Sequence, residues 1–203
     1  MLVEAFFPLV LPEVIGCPDP LLAQQVVMVA HHFCTETGVW DEIQDPIPTP
    51  AGQTDYEIDA PTSDSYVVRV VDVWLNNLAL NDEQVKNPRI DEVKPTGYHA
   101  AKERGSITLN GKPQQGDVLV IRAVYAPKLT SKNLPDLLMQ RYAYAIACGA
   151  KARLMALPGQ LWSNPAISAF YRTEYDHAVI DARIDMERDN VPGSLRVKPR
   201  IFY

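Results

Sequence analysis

Apolar residues recur at every third or fourth position over two segments between 133 and 188, which predicts two helices. Asn133 is predicted to cap the first helix, with Pro135 in its first turn, where a missing N–H costs nothing. Asn164 is predicted to cap the second helix, with Pro165 at its first position. These two long helices are the strongest pattern in the chain.

Small residues fill the middle of the first of these helices, in the run AYAIACGAKA around Gly149. Small side chains let a second helix approach closely, a packing reason that offsets the cost of about 1 kcal/mol for a glycine inside a helix. The sequence therefore predicts close helix packing at Gly149. In the second helix the apolar residues keep the helical period, which predicts one packed face. They are Ile167, Phe170, Tyr171, Tyr175, Ala178, Val179, Ala182 and Ile184.

A third helix is predicted near the start of the chain, after an apolar lead-in over residues 1–16. Asp19 is predicted as its N-cap and Pro20 as its first helical residue. Its apolar stripe repeats at helical spacing, and Gly38 suits the left-handed position that ends a helix. This N-terminal helix is therefore predicted to span residues 20–37.

Between residues 39 and 127 the pattern changes to alternation, and frequent prolines exclude a long helix. Asn76 and Asn77 are predicted to form a turn, 81–97 a loop, and GKPQQG a hairpin connection between the last two strands. Alternation is strongest in SYVVRVVDVWLN, where odd-numbered residues are predicted to face one side throughout. The predicted strands are 54–59, 65–76, 78–81, 106–110 and 117–126.

Helices and strands are segregated along the chain rather than alternating, which favours the α+β class. We predict a small helical bundle with one N-terminal helix and two long C-terminal helices, made of residues 1–38 and 128–190. An antiparallel β subdomain is inserted at 39–127. Residues 191–203 form an extended C-terminal arm, which Pro192 and Gly193 separate from the last helix.

Charge changes the picture, because it is unevenly placed. The chain of 203 residues has a formal net charge of −6, which argues against a protein that binds nucleic acid by wrapping phosphates. The arm carries three basic residues and no acid, so the remainder has 16 basic against 25 acidic residues.

Three scattered cysteines without a CxxC suit a reduced cytoplasm. No apolar run of about 20 residues occurs, so we expect a soluble, non-secreted protein with no membrane partner.

Candidate chemistry is sparse. His31, His32 and Cys34 are the only close group of metal-type residues, and zinc needs three or four ligands. We interpret them as two helix-face histidines and a buried thiol. Acidic residues interleave with arginines on the last helix, a pattern typical of a solvated, salt-bridged face. Phosphate-binding loops and nucleophile motifs do not occur in the sequence. We expect no enzyme activity, catalytic residue, cofactor or metal.

Aromatic residues lie in or beside the β region, and they admit two interpretations. They could stack on bases or sugars, but without a basic background a core or interface role is favoured. These residues are Trp40, Tyr56, Tyr66, Trp74 and Tyr98.

The arm, VPGSLRVKPRIFY, alternates apolar with basic residues and ends in three large apolar ones. A frayed C-terminus is one interpretation. The apolar end favours a docked arm, at best an edge strand because of Pro199. We expect the protein–protein contact to be carried by Arg196, Val197, Lys198, Arg200, Ile201, Phe202 and Tyr203.

Three stretches together resemble the head-to-tail adaptor (connector) proteins of tailed bacteriophages. These are LPEVIGCPDPLLAQQVVMVAHHFCTETGVW, AVYAPKLTSKNLPDLLMQRYAYAIACGAKARLMALPGQLWSNP and DARIDMERDNVPGSLRVKPRIF. The most specific parts are CPDP with FCTETGVW, and GAKARLMALPGQLWSNP. The resemblance covers most of the chain but does not extend to residues 77–105, and it brings no catalytic motif.

The resemblance implies a structural virion protein at the head–tail junction, made in the bacterial host cytoplasm. Such adaptors form a ring, commonly of twelve subunits, beneath the portal, and an adjacent neck or tail protein docks below. DNA passes through the bore without specific binding, which suits an acidic body. The isolated chain is expected to be a monomer that needs the portal as a template.

Two alternatives remain open from the sequence. The first is another neck component, such as a stopper or tail-terminator protein, although two long helices favour the adaptor. The second is an enzyme or a sugar-binding module that uses the aromatic β region.

Overall fold

The structure is a computed structural model that describes residues 1–82, 95–101 and 105–189. This part of the chain contains four α-helices, and two 3-10 turns, Val3–Phe6 and Leu11–Glu13, flank the first of them. The helices are α1 (Phe7–Val10), α2 (Asp19–Thr37), α3 (Asp136–Met155) and α4 (Pro165–Asp189).

The strands between α2 and α3 form two sheets. One sheet has the order β1-β9-β4-β5, with β2 also paired to β9, and the other has the order β3-β8-β7-β6. All strand pairs are antiparallel except β6 with β7. The predicted α+β class is therefore confirmed. The strands are β1 (Asp41–Ile43), β2 (Ile47–Pro48), β3 (Asp55–Glu57), β4 (Ser65–Leu75), β5 (Leu78–Ala79), β6 (Asn81–Asp82), β7 (Gly97–Ala101), β8 (Ser106–Leu109) and β9 (Val118–Pro127).

The helices contact one another and the larger sheet. Helix α2 packs against α3, α4 and β9, and α3 packs along α4. Gly149 lies where the three helices meet: a Cβ added there would come within 2.6 Å of Val29 Cγ1 on α2 and 2.9 Å of Tyr175 Cδ2 on α4. The predicted close packing at Gly149 is confirmed.

The N-terminal lead-in is part of the core rather than a separate segment. Phe6, Val10 and Val14 are fully buried. The N-terminal ammonium donates to the Leu134 carbonyl (2.7 Å) and lies 3.0 Å from the Asp136 carboxylate. These contacts fasten the start of the chain to the start of α3.

Two predicted helix starts are wrong by one or more residues. Pro135, not Asn133, occupies the N-cap position of α3. Asn133 is held elsewhere, because its side chain donates to Asp64 and its backbone pairs with Leu2. Helix α2 likewise begins at Asp19 itself, with Pro18 in the N-cap position.

The other predicted helix ends are confirmed. Asn164 caps α4, since its Oδ1 accepts a hydrogen bond from the Ile167 N–H (3.2 Å) and Pro165 is the first helical residue. Gly38 ends α2 in the left-handed region, with a φ of 72°.

The predicted hairpin between β8 and β9 is wrong, because the two strands belong to different sheets. Their connection is held by other segments. Asn110 Oδ1 accepts hydrogen bonds from the N–H groups of Thr96 and Gly97, and the Asp117 carbonyl accepts one from Thr49 N–H. The predicted loop at 81–97 is also partly wrong, because β6 uses residues 81–82 and β7 begins at Gly97.

Helix α2 leads directly into the larger sheet. The Tyr125 N–H donates to the Trp40 carbonyl (2.8 Å), and the two rings pack with centroids 6.1 Å apart. The strand that begins the β region therefore lies beside the strand that ends it.

Strand β4 departs from the predicted strict alternation. Its pairing with β9 shifts register between Val67 and Arg69 and again between Val70 and Asp72. A register shift of this kind is a β-bulge, and it moves the following side chains to the other face. The predicted turn after β4 is confirmed, with positive φ at Asn76 and Asn77.

In the described ranges, none of the helices combines the length and the apolar character that crossing a bilayer requires.

Candidate assembly surfaces

Helix α4 is apolar on two opposite sides. Tyr175, Val179 and Ala182 are buried against α2 and α3. At 100° per residue, a second set of residues lies on the opposite side. We call this set the outer face of α4, and it consists of the exposed residues Phe170, His177, Ile180 and Ile184, flanked by Ile167.

The outer face of α4 extends along most of the helix. Phe170 and Ile180 are 55% and 51% exposed, and Phe170 and Ile184 lie four helical turns apart on the same side. Exposed apolar side chains that line up in this way mark interaction sites more often than scattered ones do. The predicted single face is wrong in part, because Tyr175, Val179 and Ala182 are buried whereas Ile167, Phe170 and Ile184 are exposed. Apolar residues lie on two sides of the helix, and periodicity alone does not choose the buried side.

Charged residues border the outer face. Asp176, Asp181 and Asp185 are exposed, and Arg172 lies 4.0 Å from Asp176 one turn away. Arg183 turns instead to α2, where it donates to Glu36 Oε2 (2.7 Å). Arg188, five turns after Phe170, is the basic residue at the end of this side. Apart from Arg188, the acidic residues that border the outer face point to a partner with basic or neutral surroundings.

A buried lysine ties three parts of the helical body together. Lys151 on α3 donates to Glu13 Oε1 (2.6 Å) and lies 4.9 Å from the ring centroid of Tyr171 on α4. Burial raises the pKa of Glu13, but hydrogen bonds from Lys151 and Tyr171 outweigh it and hold that pKa below its ordinary value. The hydrogen bond to Glu13 and burial raise the pKa of Tyr171 to about 12. These contacts hold α3, α4 and the N-terminal segment around Glu13 together.

The two histidines considered as metal ligands make hydrogen bonds to other residues, and the cysteine beside them is buried. His31 Nδ1 donates to the Pro127 carbonyl (2.9 Å), while His32 Nδ1 is hydrogen-bonded to the Tyr175 hydroxyl (2.8 Å). Cys34 is a buried free thiol, and burial raises its pKa to about 12. Within residues 1–82, 95–101 and 105–189, no group of three or more histidine, cysteine or acidic side chains is placed to hold a metal ion.

The aromatic residues of the β region belong largely to the core. Trp40, Tyr56 and Tyr98 are buried, and Tyr66 and Trp74 are half-buried. Tyr66 stacks on His31 of α2 with ring centroids 5.6 Å apart. These positions agree with the favoured interpretation as core residues.

A groove beside β1 and β2 is a second candidate surface, which the sequence did not predict. It encloses about 480 Å3, and three carboxylates line it, those of Glu42, Asp45 and Asp59. Within the described ranges, none of the residues that line it is basic. We call it the acidic groove, and its other lining residues are Ile43, Gln44, Pro46, Ile47, Pro48, Ala60, Pro61 and Tyr125.

The predicted contact residues of the arm lie outside the described residues, which end at Asp189. They are Arg196, Val197, Lys198, Arg200, Ile201, Phe202 and Tyr203. Their contact role stays a prediction.

Comparison with known proteins assigns no family to the chain. No protein-family model matches it, and no curated protein matches it.

Proposed function

We propose that this chain is a structural virion protein of a tailed bacteriophage: a head-to-tail adaptor that forms a ring beneath the portal, joins the capsid to the neck or tail, and lets DNA pass. The observation that carries the proposal on the structural side is the outer face of α4, an exposed apolar surface opposite a buried one. The resemblance of three sequence stretches to adaptor proteins supplies the biological setting. The protein is a scaffold in this proposal and not an enzyme.

The charges around the outer face favour a ring over a two-fold dimer. A two-fold contact places the same patch on both subunits, so the acidic residues that border the outer face would be present on both sides of the contact. Like charges that meet across an interface disfavour it. A contact between two different patches avoids this, and such a contact closes into a ring when the rotation between subunits permits. A ring of twelve is the number that the resemblance implies.

The three long helices are the body of the proposed subunit. In this proposal α2, α3 and α4 form a small bundle, with residues 39–127 inserted between α2 and α3 as a β subdomain. The contacts among these helices and the adjacent positions of Trp40 and Tyr125 support this arrangement. The N-terminal segment closes one side of the bundle through the Glu13–Lys151 pair.

The net charge suits passage of DNA. Outside the arm the chain has 16 basic against 25 acidic residues, so a ring of copies would present a strongly negative body. A negative channel wall repels phosphate and keeps the duplex mobile. Weak binding of DNA is therefore part of the proposed role.

The test is to mix the purified chain with the portal protein encoded in the same genome and to image the mixture by electron microscopy. We expect added density at the lower rim of the portal, with the rotational symmetry of the portal. Sedimentation of the chain alone at low concentration is expected to give a monomer. A portal that carries no added density at saturating concentrations of the chain contradicts the proposal.

A further inference from the structure

We infer that the acidic groove receives the basic C-terminal arm, residues 191–203, of an adjacent copy of this chain. The inference deepens the proposed function, because the adjacent copy is the neighbour in the proposed ring.

Charge is the first observation that pairs the two. The acidic groove has carboxylates at Glu42, Asp45 and Asp59, and the part of the chain that the structure describes adds no basic residue to its lining. The arm contains Arg196, Lys198 and Arg200 and no acid. Surfaces of opposite charge steer association and fix the register of a bound segment.

Apolar surface is the second observation. Ile43 is 63% exposed at the groove, and Ile47 is half-buried, with prolines on either side of it. The arm alternates its apolar and basic side chains, with Leu195 and Val197 out of phase with Arg196 and Lys198. In an extended segment the two sets project to opposite sides, so one set can meet the isoleucines while the other meets the carboxylates.

The backbone of β1 gives the arm a place to pair. Among the strands that the structure describes, β1 lies at the edge of its sheet and pairs with β9 only. Gln44 N–H donates to the Ile121 carbonyl and Tyr125 N–H donates to the Trp40 carbonyl, both at 2.8 Å, so even-numbered residues bond to β9. The backbone groups of Asp41 and Ile43 therefore point away from β9. An extended peptide adds to such an edge through main-chain hydrogen bonds, and Pro199 is tolerated in an edge position.

Length permits a donor from another copy. Fourteen residues follow Asp189. Fully extended, they span about 46 Å. A folded chain of this size has a radius of gyration of about 17 Å. Their extended length exceeds this radius, so the arm can reach beyond its own subunit to a groove on an adjacent copy.

The first experiment measures recognition without any portal. A fluorescent synthetic peptide of residues 191–203 is titrated into a full-length chain whose own arm is neutralised (Arg196→Gln, Lys198→Gln, Arg200→Gln). We expect saturable binding that weakens with salt. Adding Glu42→Gln, Asp45→Asn and Asp59→Asn should weaken it about tenfold, which corresponds to the loss of three exposed ion pairs.

The matched control removes the same number of charges from exposed positions that belong to neither candidate surface, with Glu4→Gln, Asp19→Asn and Asp82→Asn. It should leave peptide binding unchanged. Equal weakening by the groove and control variants would mean that only net charge matters, and unchanged binding in the groove variant would mean that the arm binds elsewhere. Either result overturns the inference.

The second experiment assigns the donor copy. Two differently tagged full-length chains, one with Ile43→Cys and one with Ile201→Cys, are mixed above the measured dissociation constant and oxidised. The native cysteines Cys17, Cys34 and Cys148 are buried and compete little. We expect a disulfide between the two tags. In a doubly substituted chain, a link formed only within one chain overturns the assignment to an adjacent copy, and no link in either sample overturns the inference.

These experiments fail separately from the proposed function. Peptide binding and disulfide formation need no portal, so a chain that binds the portal but not the peptide retains its proposed function and loses this inference. A chain that binds the peptide but not the portal does the reverse.

Discussion

Gly149 on α3 lies so close to Val29 on α2 that a single added carbon would come within 2.6 Å of Val29 Cγ1. Such a distance is shorter than a van der Waals contact between carbons, which lies near 3.5–4.0 Å. On the other side, the ring of Tyr175 lies 2.9 Å from the same added carbon. The glycine therefore sets how closely three helices approach.

Gly149→Ala is expected to destabilise the protein. Alanine is favoured over glycine inside a helix by about 1 kcal/mol, so helix propensity alone predicts a gain. Overpacking against Val29 and Tyr175 should outweigh it and leave a net loss of about 1–2 kcal/mol, with a larger loss for Gly149→Leu. Urea denaturation measures the free energy of unfolding. A more stable Gly149→Ala protein would show that the helices can separate at no cost.

The outer face of α4 should matter for assembly and little for folding. Phe170→Ser together with Ile184→Asn is expected to change the free energy of unfolding by less than about 0.5 kcal/mol for each substitution, because both side chains are exposed. Incorporation into portal-bound rings, measured by co-sedimentation, should be lost.

The control for this prediction comes from the buried side of the same helix. Val179→Ala removes two buried methyl groups and should cost about 1–3 kcal/mol in stability. Because it leaves the outer face intact, the folded fraction should still assemble. Assembly that survives loss of both Phe170 and Ile184 would exclude the outer face as the contact.

Lys151→Met should destabilise the protein in a pH-dependent way. The pKa of Glu13 is lower in the folded protein than its ordinary value of 4.5. The stability that this carboxylate contributes is therefore full above about pH 4.5 and is lost as the pH falls through the lowered pKa. Removing the lysine should cost about 1–2 kcal/mol near neutral pH.

The measurement is urea denaturation of both proteins at about pH 6.5 and at a pH well below 4.5, where the difference between them should shrink. Arg172→Met is a suitable control, because both partners of the Arg172–Asp176 pair are largely exposed. It should change stability by less than about 0.5 kcal/mol at either pH. A difference for Lys151→Met that grows on acidification would contradict the assigned role of Glu13.

The two asparagines of the β4–β5 turn should respond differently to glycine. Both have positive φ, which glycine adopts freely. Asn76 also bonds through its side chain, donating to Asp117 (2.7 Å) and accepting from the Val118 N–H (2.9 Å). Asn76→Gly should therefore cost about 1 kcal/mol, whereas Asn77→Gly creates the favoured Asn-Gly turn and should be neutral or stabilising. Thermal denaturation compares the stability of the two variants. Equal effects would contradict a stabilising role for the side-chain hydrogen bonds of Asn76.

The sequence contained enough information for the α+β class and for the long helices, because their signals are local. The consecutive residues Asn164 and Pro165 start α4. Gly38 ends α2 because glycine adopts the left-handed conformation freely. The N-cap at Asn133 failed for a reason that is not local. Asp64, 69 residues away, binds its side chain.

The candidate surfaces depended still more on distant residues. Alternation in 106–126 predicts strands but does not show that β8 and β9 belong to different sheets. Between these strands, Asn110 bonds to Gly97 and Asp117 bonds to Thr49, and both partners are distant in sequence. The acidic groove joins residues 42–48 with 59–61 across a sheet edge, so no single window of sequence contains it. Its acidic, proline-spaced run was the one local signal that could have suggested it.

The bond from Tyr125 to Trp40 has a consequence for how chains of this kind can change in length. Because the first and last strands of the β region are paired with each other, the spacing between α2 and α3 is fixed at that point. Insertions or deletions farther out, between β5 and β8, leave that spacing untouched. We therefore expect homologous chains to vary in length mainly there, so that new surface features arise by genetic exchange without redesign of the helices.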